Sequence, residues 1–284
     1  MKIAAIKRFL PRRMKIVGLR GYYLSLDALD FLLSRRGSGT PSRSRARSVG
    51  AVRYDRAGAW FFRRFLDLGG LKPNERVLDV GCGVGRMAMP LTNYLNDGGK
   101  YEGFDVVPQN IRWCQENITA RYPNFRFRLA EVYNKEYNPK GTHGASEYKF
   151  PYEDESFDFV IVTSVFTHML PEEVSNYLSE IERVTKGGGR AMITFFLLNR
   201  ESLELIESGM SNIDFRYDFG VYRTKEKGMP EAAVAYREEH VRNLYRKNGL
   251  EIAEPIHYGR WCGREDFLRY QDIVVSRKPE LSQG

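Results

Sequence analysis

Val77-Leu78-Asp79-Val80-Gly81-Cys82-Gly83-Val84-Gly85-Arg86 decides the fold of this 284-residue chain. A short buried strand runs into three glycines at alternate positions. The apolar spacing behind them predicts a helix to about Leu95. Glycine permits the positive φ of such a turn and leaves no Cβ between backbone and ligand. The helix that starts there offers free N–H groups and the positive end of its dipole. Dinucleotide folds use this device for a pyrophosphate, with the spacing GxGxxG. Here the spacing is GxGxG, and a carboxylate, Asp79, stands two residues before the first glycine. An acid at that place opposes a pyrophosphate and suits a ligand with a positively charged amino-acid end. Asp105 closes the next strand, 24 residues after Gly81. At that position a carboxylate accepts hydrogen bonds from a ribose diol.

Outward from this stretch, strand and helix alternate. Strands are expected at 77–80, 100–105, 125–130, 157–163 and 191–197, and helices at about 85–95, 108–120 and 172–185. A helix through Trp60, Phe61, Phe62 and Phe65 precedes the first strand and stops at Gly69-Gly70. The helix over 172–185 is expected to stop at Gly187-Gly188-Gly189. After residue 200 the alternation loosens. Residues 201–236 read as a helix plus an irregular insertion or lid. A helix over 238–248 and strands at 251–257 and 270–276 finish the chain. The pattern predicts an α/β fold with a doubly wound, seven-stranded, mostly parallel sheet. Residues 1–64 form a basic helical extension and linker, and 65–284 the main domain.

Hydrophobic residues make up 42% of the chain, enough for a sizeable core. The net charge of +8 is uneven: residues 1–64 hold 16 Lys and Arg against three acids, and the rest 28 against 33. That distribution does not describe a basic nucleic-acid-binding face, so nucleic acid is not the expected partner. Residues 1–36 set Ile3, Ile6, Phe9 and Leu10 against Lys2, Lys7 and Arg8. Such a segment suits a peripheral contact with an anionic membrane surface, or a cap beside the site. Residues 37–49 are a linker rich in Gly, Ser and Arg. No apolar run reaches the ~18–20 residues of a membrane span. Cys82, Cys114 and Cys262 form no CxxC pair. This argues against a disulfide framework or a structural metal site and fits a reducing, cytoplasmic compartment.

Residues 77–86 resemble the first motif of class I methyltransferases. Phe150-Pro-Tyr-Glu-Asp-Glu-Ser-Phe-Asp-Phe-Val-Ile-Val162 resembles their fourth-strand motif. Glu180-Ile-Glu-Arg-Val-Thr-Lys-Gly-Gly-Gly-Arg190 resembles their helix and turn before strand five, with Gly187 where Pro is usual. The nearest group is the UbiE-like, type 11 set of small-molecule methyltransferases, and the likeness covers about residues 70–200. It implies a Rossmann-like methyltransferase fold and S-adenosyl-L-methionine as cofactor. It also implies that Asp79, Gly81 and Gly83 line the methionine end, with Cys82 and Gly85 completing the loop. Asp105 would hold the ribose, and Val106 would sit against the adenine. Glu131 would lie near the adenine amino group, where Asp is common, and Thr163 and Ser164 would face the cofactor.

Methyl transfer to an alcohol needs a proton removed, so a base helps. His168, just after the fourth strand, lies at the sheet edge where ligands bind in such folds. His257 ends the sixth strand in a run of aromatics, arginines and glycines, and both are candidate catalytic residues. Tyr133, Tyr137, Tyr148 and Tyr152 occupy a long loop between strands three and four, expected to form the acceptor rim. The family's nucleic-acid and amine branches end strand four with Asn/Asp-Pro-Pro-Tyr/Phe. Thr163-Ser164-Val165-Phe166 stands here instead, which disfavours an exocyclic amine. The expected activity is O-methylation of a small hydroxylated acceptor such as a sugar, glycan or metabolite. N- or C-methylation of a lipid, quinone or protein is an alternative, as is a non-catalytic module that binds the cofactor.

Overall fold

The structure, a computed structural model, describes Pro41, residues 54–135 and residues 137–280. The expectations for residues 1–36 and 37–49 fall outside the described residues, apart from Pro41.

Helix α1 (Tyr54–Asp67) buries Tyr54, Gly58, Phe61 and Phe65 along one face. That spacing of three and four is the amphipathic period. The helix crosses the boundary expected at residue 64. It ends at Gly70, whose φ of +60° only glycine takes freely. Strand β1 (Arg76–Val80) follows, then a short helix α2 (Ala88–Leu91) and β2 (Lys100–Asp105). Helix α2 is much shorter than expected. Asn96-Asp97-Gly98-Gly99 are breakers, and the turn at 92–95 does not continue it. Helix α3 (Pro108–Cys114) continues as a π-helical turn to Thr119 and leads to β3 (Phe125–Leu129). Then come β4 (Phe157–Val162), α4 (Pro171–Val184), β5 (Thr185–Phe195) and β6 (Leu197–Leu198).

The glycine triplet does not stop α4. The helix ends at Val184, and Thr185 already begins β5. Gly187–Gly189 instead form an irregularity at the start of that strand, where the β4–β5 register shifts. A Cβ on Gly189 would sit 2.6 Å from Thr185 Cγ2 and 2.8 Å from the Lys186 carbonyl oxygen.

Beyond β6 lie α5 (Arg200–Glu207), β7 (Tyr217–Asp218), β8 (Tyr222–Thr224) and β9 (Val234–Arg237). Helix α6 (Glu238–Lys247), β10 (Glu251–Ile252) and β11 (Asp272–Arg277) close the chain. The helix expected after residue 201 is α5, and the insertion expected to be irregular holds strands β7 to β9. Strands β6-β9-β8-β7 form a second, four-stranded sheet, with a hairpin turning at Gly220 (φ +83°). The sixth strand expected over 251–257 is only two residues long, with His257 returning as an isolated bridge to Ile273.

The main sheet has seven strands in the order β10-β11-β5-β4-β1-β2-β3. Strands β1 to β5 are mutually parallel where they pair, and β11 runs antiparallel to β5. One face packs Leu78, Val80, Val160 and Val162 on α4 and α6. The other packs Val77, Phe159 and Ile161 on α1 and α3. A third cluster, with Phe196, Phe215 and Trp261 at its centre, joins the small sheet to the main one. Among the described residues no helix is long and apolar enough to cross a membrane.

Candidate active site

The strand order reverses between β1 and β4, and an α/β sheet opens a crevice there at the carboxyl ends of its strands. A cavity of about 540 Å³ occupies this place. Its floor is the turn after β1, one wall the ends of β2 and β3, the other the end of β4. Met229, Glu231 and Ala232, before β9, form the roof.

Gly81, Gly83 and Gly85 have φ of +75°, +55° and +67°. A Cβ on Gly81 would lie 2.4 Å from Val165 Cγ2, so the glycine also lets the floor close on the β4 loop. Gly81, Cys82 and Gly83 line the cavity. Asp105 lines it too. One of its oxygens accepts from the Gly83 N–H at 2.9 Å, and the other from the Val107 N–H at 2.9 Å. A carboxylate offers about four acceptor positions. It therefore keeps acceptor capacity toward the cavity, so the group fits a ribose. Burial raises the Asp105 carboxyl above its ordinary range, and the Val107 and Gly83 donors pull it back. Val106, Thr163, Ser164 and His168 also line the cavity.

Four expected residues are placed elsewhere. Asp79 is completely buried beneath the floor, where its Oδ2 accepts from the Tyr101 hydroxyl at 2.5 Å. Its side chain follows the pleat of β1 into the sheet's interior, and its other oxygen has no hydrogen-bond partner. Burial pushes its carboxyl up to about 7. Gly85 faces helix α3, and a Cβ there would meet Ile118 Cδ1 at 2.4 Å, so it serves close packing. Glu131 is exposed and is absent from the cavity lining; Ala130 and Val132 on either side are buried. His257 exchanges backbone hydrogen bonds with Ile273 and does not reach the cavity. Burial lowers its imidazole, and the Arg64 charge adds to this.

The tyrosine loop divides. Tyr133 and Tyr137 line the cavity. Tyr148 and Tyr152 pack on Phe104 instead.

His168 ends a 3₁₀ turn after β4. Its Nδ1 lies 2.9 Å from the Glu231 carbonyl oxygen. A carbonyl only accepts, so this bond places the proton on Nδ1 and leaves the Nε2 lone pair available. Ser164 beside it has φ +59°, costly for a residue with a Cβ. Its N–H donates to Thr194 Oγ1 at 2.8 Å and its hydroxyl to Gln271 Oε1 at 2.9 Å. These two bonds, from residues far along the chain, hold the strained turn. Gln271, Glu173, Tyr177 and Arg86 line the cavity without having been singled out in the sequence. Arg86 closes the glycine motif, and the Glu173 position carried a local signal because Leu170-Pro171-Glu172-Glu173 has a capping-box glutamate at its third helical position. Burial raises its carboxyl, and the nearby Glu231 adds to this.

Residues 78–193 match the type 11 family described as a methyltransferase domain. The tRNA N(3)-cytidine methyltransferase METTL2 of Gallus gallus is 25% identical over 135 residues, 45% of this chain and 32% of that one. Aklanonic acid methyltransferase DauC of Streptomyces sp. (strain C5) is 36% identical over 72 residues, 24% of this chain and 33% of that one. The chain thus spans about a third of the length of these curated relatives. Among solved structures, the 1,6-didemethyltoxoflavin-N1-methyltransferase of Burkholderia thailandensis superposes with a TM-score of 0.51 at 16% identity. That superposition covers 96% of this chain and 92% of the other, and shows likeness of fold. Residues 78–193 of this chain thus carry a methyltransferase domain of the type 11 family.

Proposed function

We propose that this chain transfers a methyl group from S-adenosylmethionine to a hydroxyl oxygen of a small acceptor: a sugar, a glycan or another hydroxylated metabolite. The observation that carries this reading is His168, held in the cavity wall with its Nε2 lone pair available. An amine needs little help to accept a methyl group. A hydroxyl gains from a base, typically by about 10²–10⁴-fold.

When bound, the cofactor supplies a methyl group already activated by its sulfonium. The chain's own residues position the partners. Asp105 takes the ribose hydroxyls on its remaining lone pairs, and Gly81–Gly83 let the backbone approach. His168 Nε2 takes the proton from the acceptor hydroxyl. Its Nδ1–H stays on the Glu231 carbonyl, which favours the imidazolium that results. Tyr177 and Glu173 offer a hydroxyl and a carboxylate to the acceptor's other polar groups. The volume of about 540 Å³ lies within the usual span of small-molecule sites and supports a compact acceptor.

The test is transfer of labelled methyl from S-adenosylmethionine to a panel of sugars, phenols, amines, lipids and tRNA. We expect label on hydroxyl acceptors and on no tRNA. Label confined to amines or tRNA, or none on any acceptor, overturns the proposal.

A further inference from the structure

The spacing of the sequence assigned the amino-acid end of the ligand to Asp79. The structure buries that carboxyl outside the cavity lining, and the lining holds a cation instead. Arg86, the first residue after the glycine loop, lines the cavity. Its backbone is held from behind by α1. The Tyr54 hydroxyl donates to the Val84 carbonyl at 2.8 Å, and a Cβ on Gly58 would lie only 2.6 Å from the Arg86 carbonyl oxygen. Among the described residues the Arg86 guanidinium forms no ion pair.

A second cation stands close by. The Arg269 guanidinium lies over the Trp60 ring at 4.2 Å and over Phe61 at 5.4 Å. Burial disfavours its charge, and so does the field of Arg86. Asp79 attracts Arg86 from below, but it is fully buried and its carboxyl is pushed up to about 7, so near neutral pH it is only part of a counter-charge. Arg86 thus lines the cavity without a complete anion beside it, and Arg269, outside the lining, is near enough to feel its charge. A partly desolvated cation with donors to spare is a carboxylate site.

We propose that Arg86 binds the α-carboxylate at the amino-acid end of the cofactor, with Arg269 adding to the positive field there. This rests on S-adenosylmethionine being the cofactor. It reverses the charge logic of the sequence: the protein recognises the anion of that end through a side chain, and Asp79 serves as the support under Arg86.

The experiment is isothermal titration of the full chain with S-adenosylmethionine and with its decarboxylated analogue, which keeps the ammonium and the sulfonium and lacks only the carboxylate. Wild type is expected to prefer the intact compound by about ten- to a hundredfold, the usual range for a charge-assisted bond. Arg86→Ala is expected to erase that preference while its affinity for the decarboxylated compound stays within about threefold; Arg86→Lys keeps part of the preference. Binding of the decarboxylated compound doubles as the check on folding. Should Arg86→Ala lose both ligands, the same ratio measured on Arg86→Gln decides. A preference that survives removal of the guanidinium overturns the assignment, and so does a wild type that binds the two compounds equally. A wild type that binds neither overturns the cofactor reading itself.

Discussion

Asp79 and Asp105 lie 26 residues apart in sequence and do opposite work. Asp105 keeps lone pairs for a ligand, so Asp105→Ala is expected to weaken S-adenosylmethionine binding by about ten- to a hundredfold. Titration calorimetry checks this, and an unchanged affinity would remove Asp105 from the site. Asp79 has a folded-state pKa raised to about 7, chiefly by burial. The sign follows from proton linkage. The folded chain keeps a proton that the unfolded chain has lost above its ordinary value near 4, so the group's contribution is full below about pH 4 and is lost as pH rises through about 7. At about 1.4 kcal/mol per unit the loss is at most about 4 kcal/mol. Melting temperature should fall from pH 5 to pH 8 in the wild type and fall less in Asp79→Asn. Parallel curves would show that the Asp79 carboxyl does not titrate in this window. For His168, loss of the base predicts that His168→Ala lowers kcat by about 10²–10⁴-fold with little change in cofactor affinity.

At the scale of elements, much was legible because period and punctuation are local. The alternation placed β1 to β4 and α4 to within one residue at each end, while β5 begins six residues before its expected start, and the GxGxG turn marked the ligand end of β1. The triple glycine was misjudged because a helix stop and a strand irregularity use the same residue type, and only the neighbours of Gly189 distinguish them. The hairpin at Asp218-Phe219-Gly220 carries a turn signal, but its strands are two and three residues long, too short for an alternation to show. Arg190, the last residue of the motif that ends in the glycines, forks onto Glu75 at 3.0 and 2.8 Å. It also donates to the carbonyls of Gly69 and Gly70, tying the end of α1 to β5. A lysine cannot reproduce that fork. Arg190→Lys should therefore cost about 2 kcal/mol, read as a lower denaturation midpoint with an unchanged slope.

Across the whole molecule, the small sheet hangs on one buried carboxylate. Asp272 accepts from the N–H groups of Leu197 and Gly259, both at 2.6 Å, and from Trp261 Nε1 at 2.8 Å. Trp261 is fully buried between the two sheets. Trp261→Ala should cost about 3–5 kcal/mol. It should raise hydrogen exchange over 217–237 and reduce turnover, while cofactor affinity stays within a few-fold. Loss of cofactor binding in step with turnover would mean that the two sheets do not act separately. None of this was visible in the sequence, because Leu197, Trp261 and Asp272 are brought together only by the pairing of β5 with β11. The same holds for Gln271 on Ser164, a bond across 107 positions.

The carbonyl that fixes the tautomer of His168 comes from Glu231, in the roof that also bounds the space for the acceptor. Shape selection and the aim of the base are therefore inherited on a single stretch of backbone. Grafting residues 197–237 from a relative would transplant a reactivity along with an appetite. A lineage that reshapes this roof to admit a new acceptor re-aims its own base in the same step.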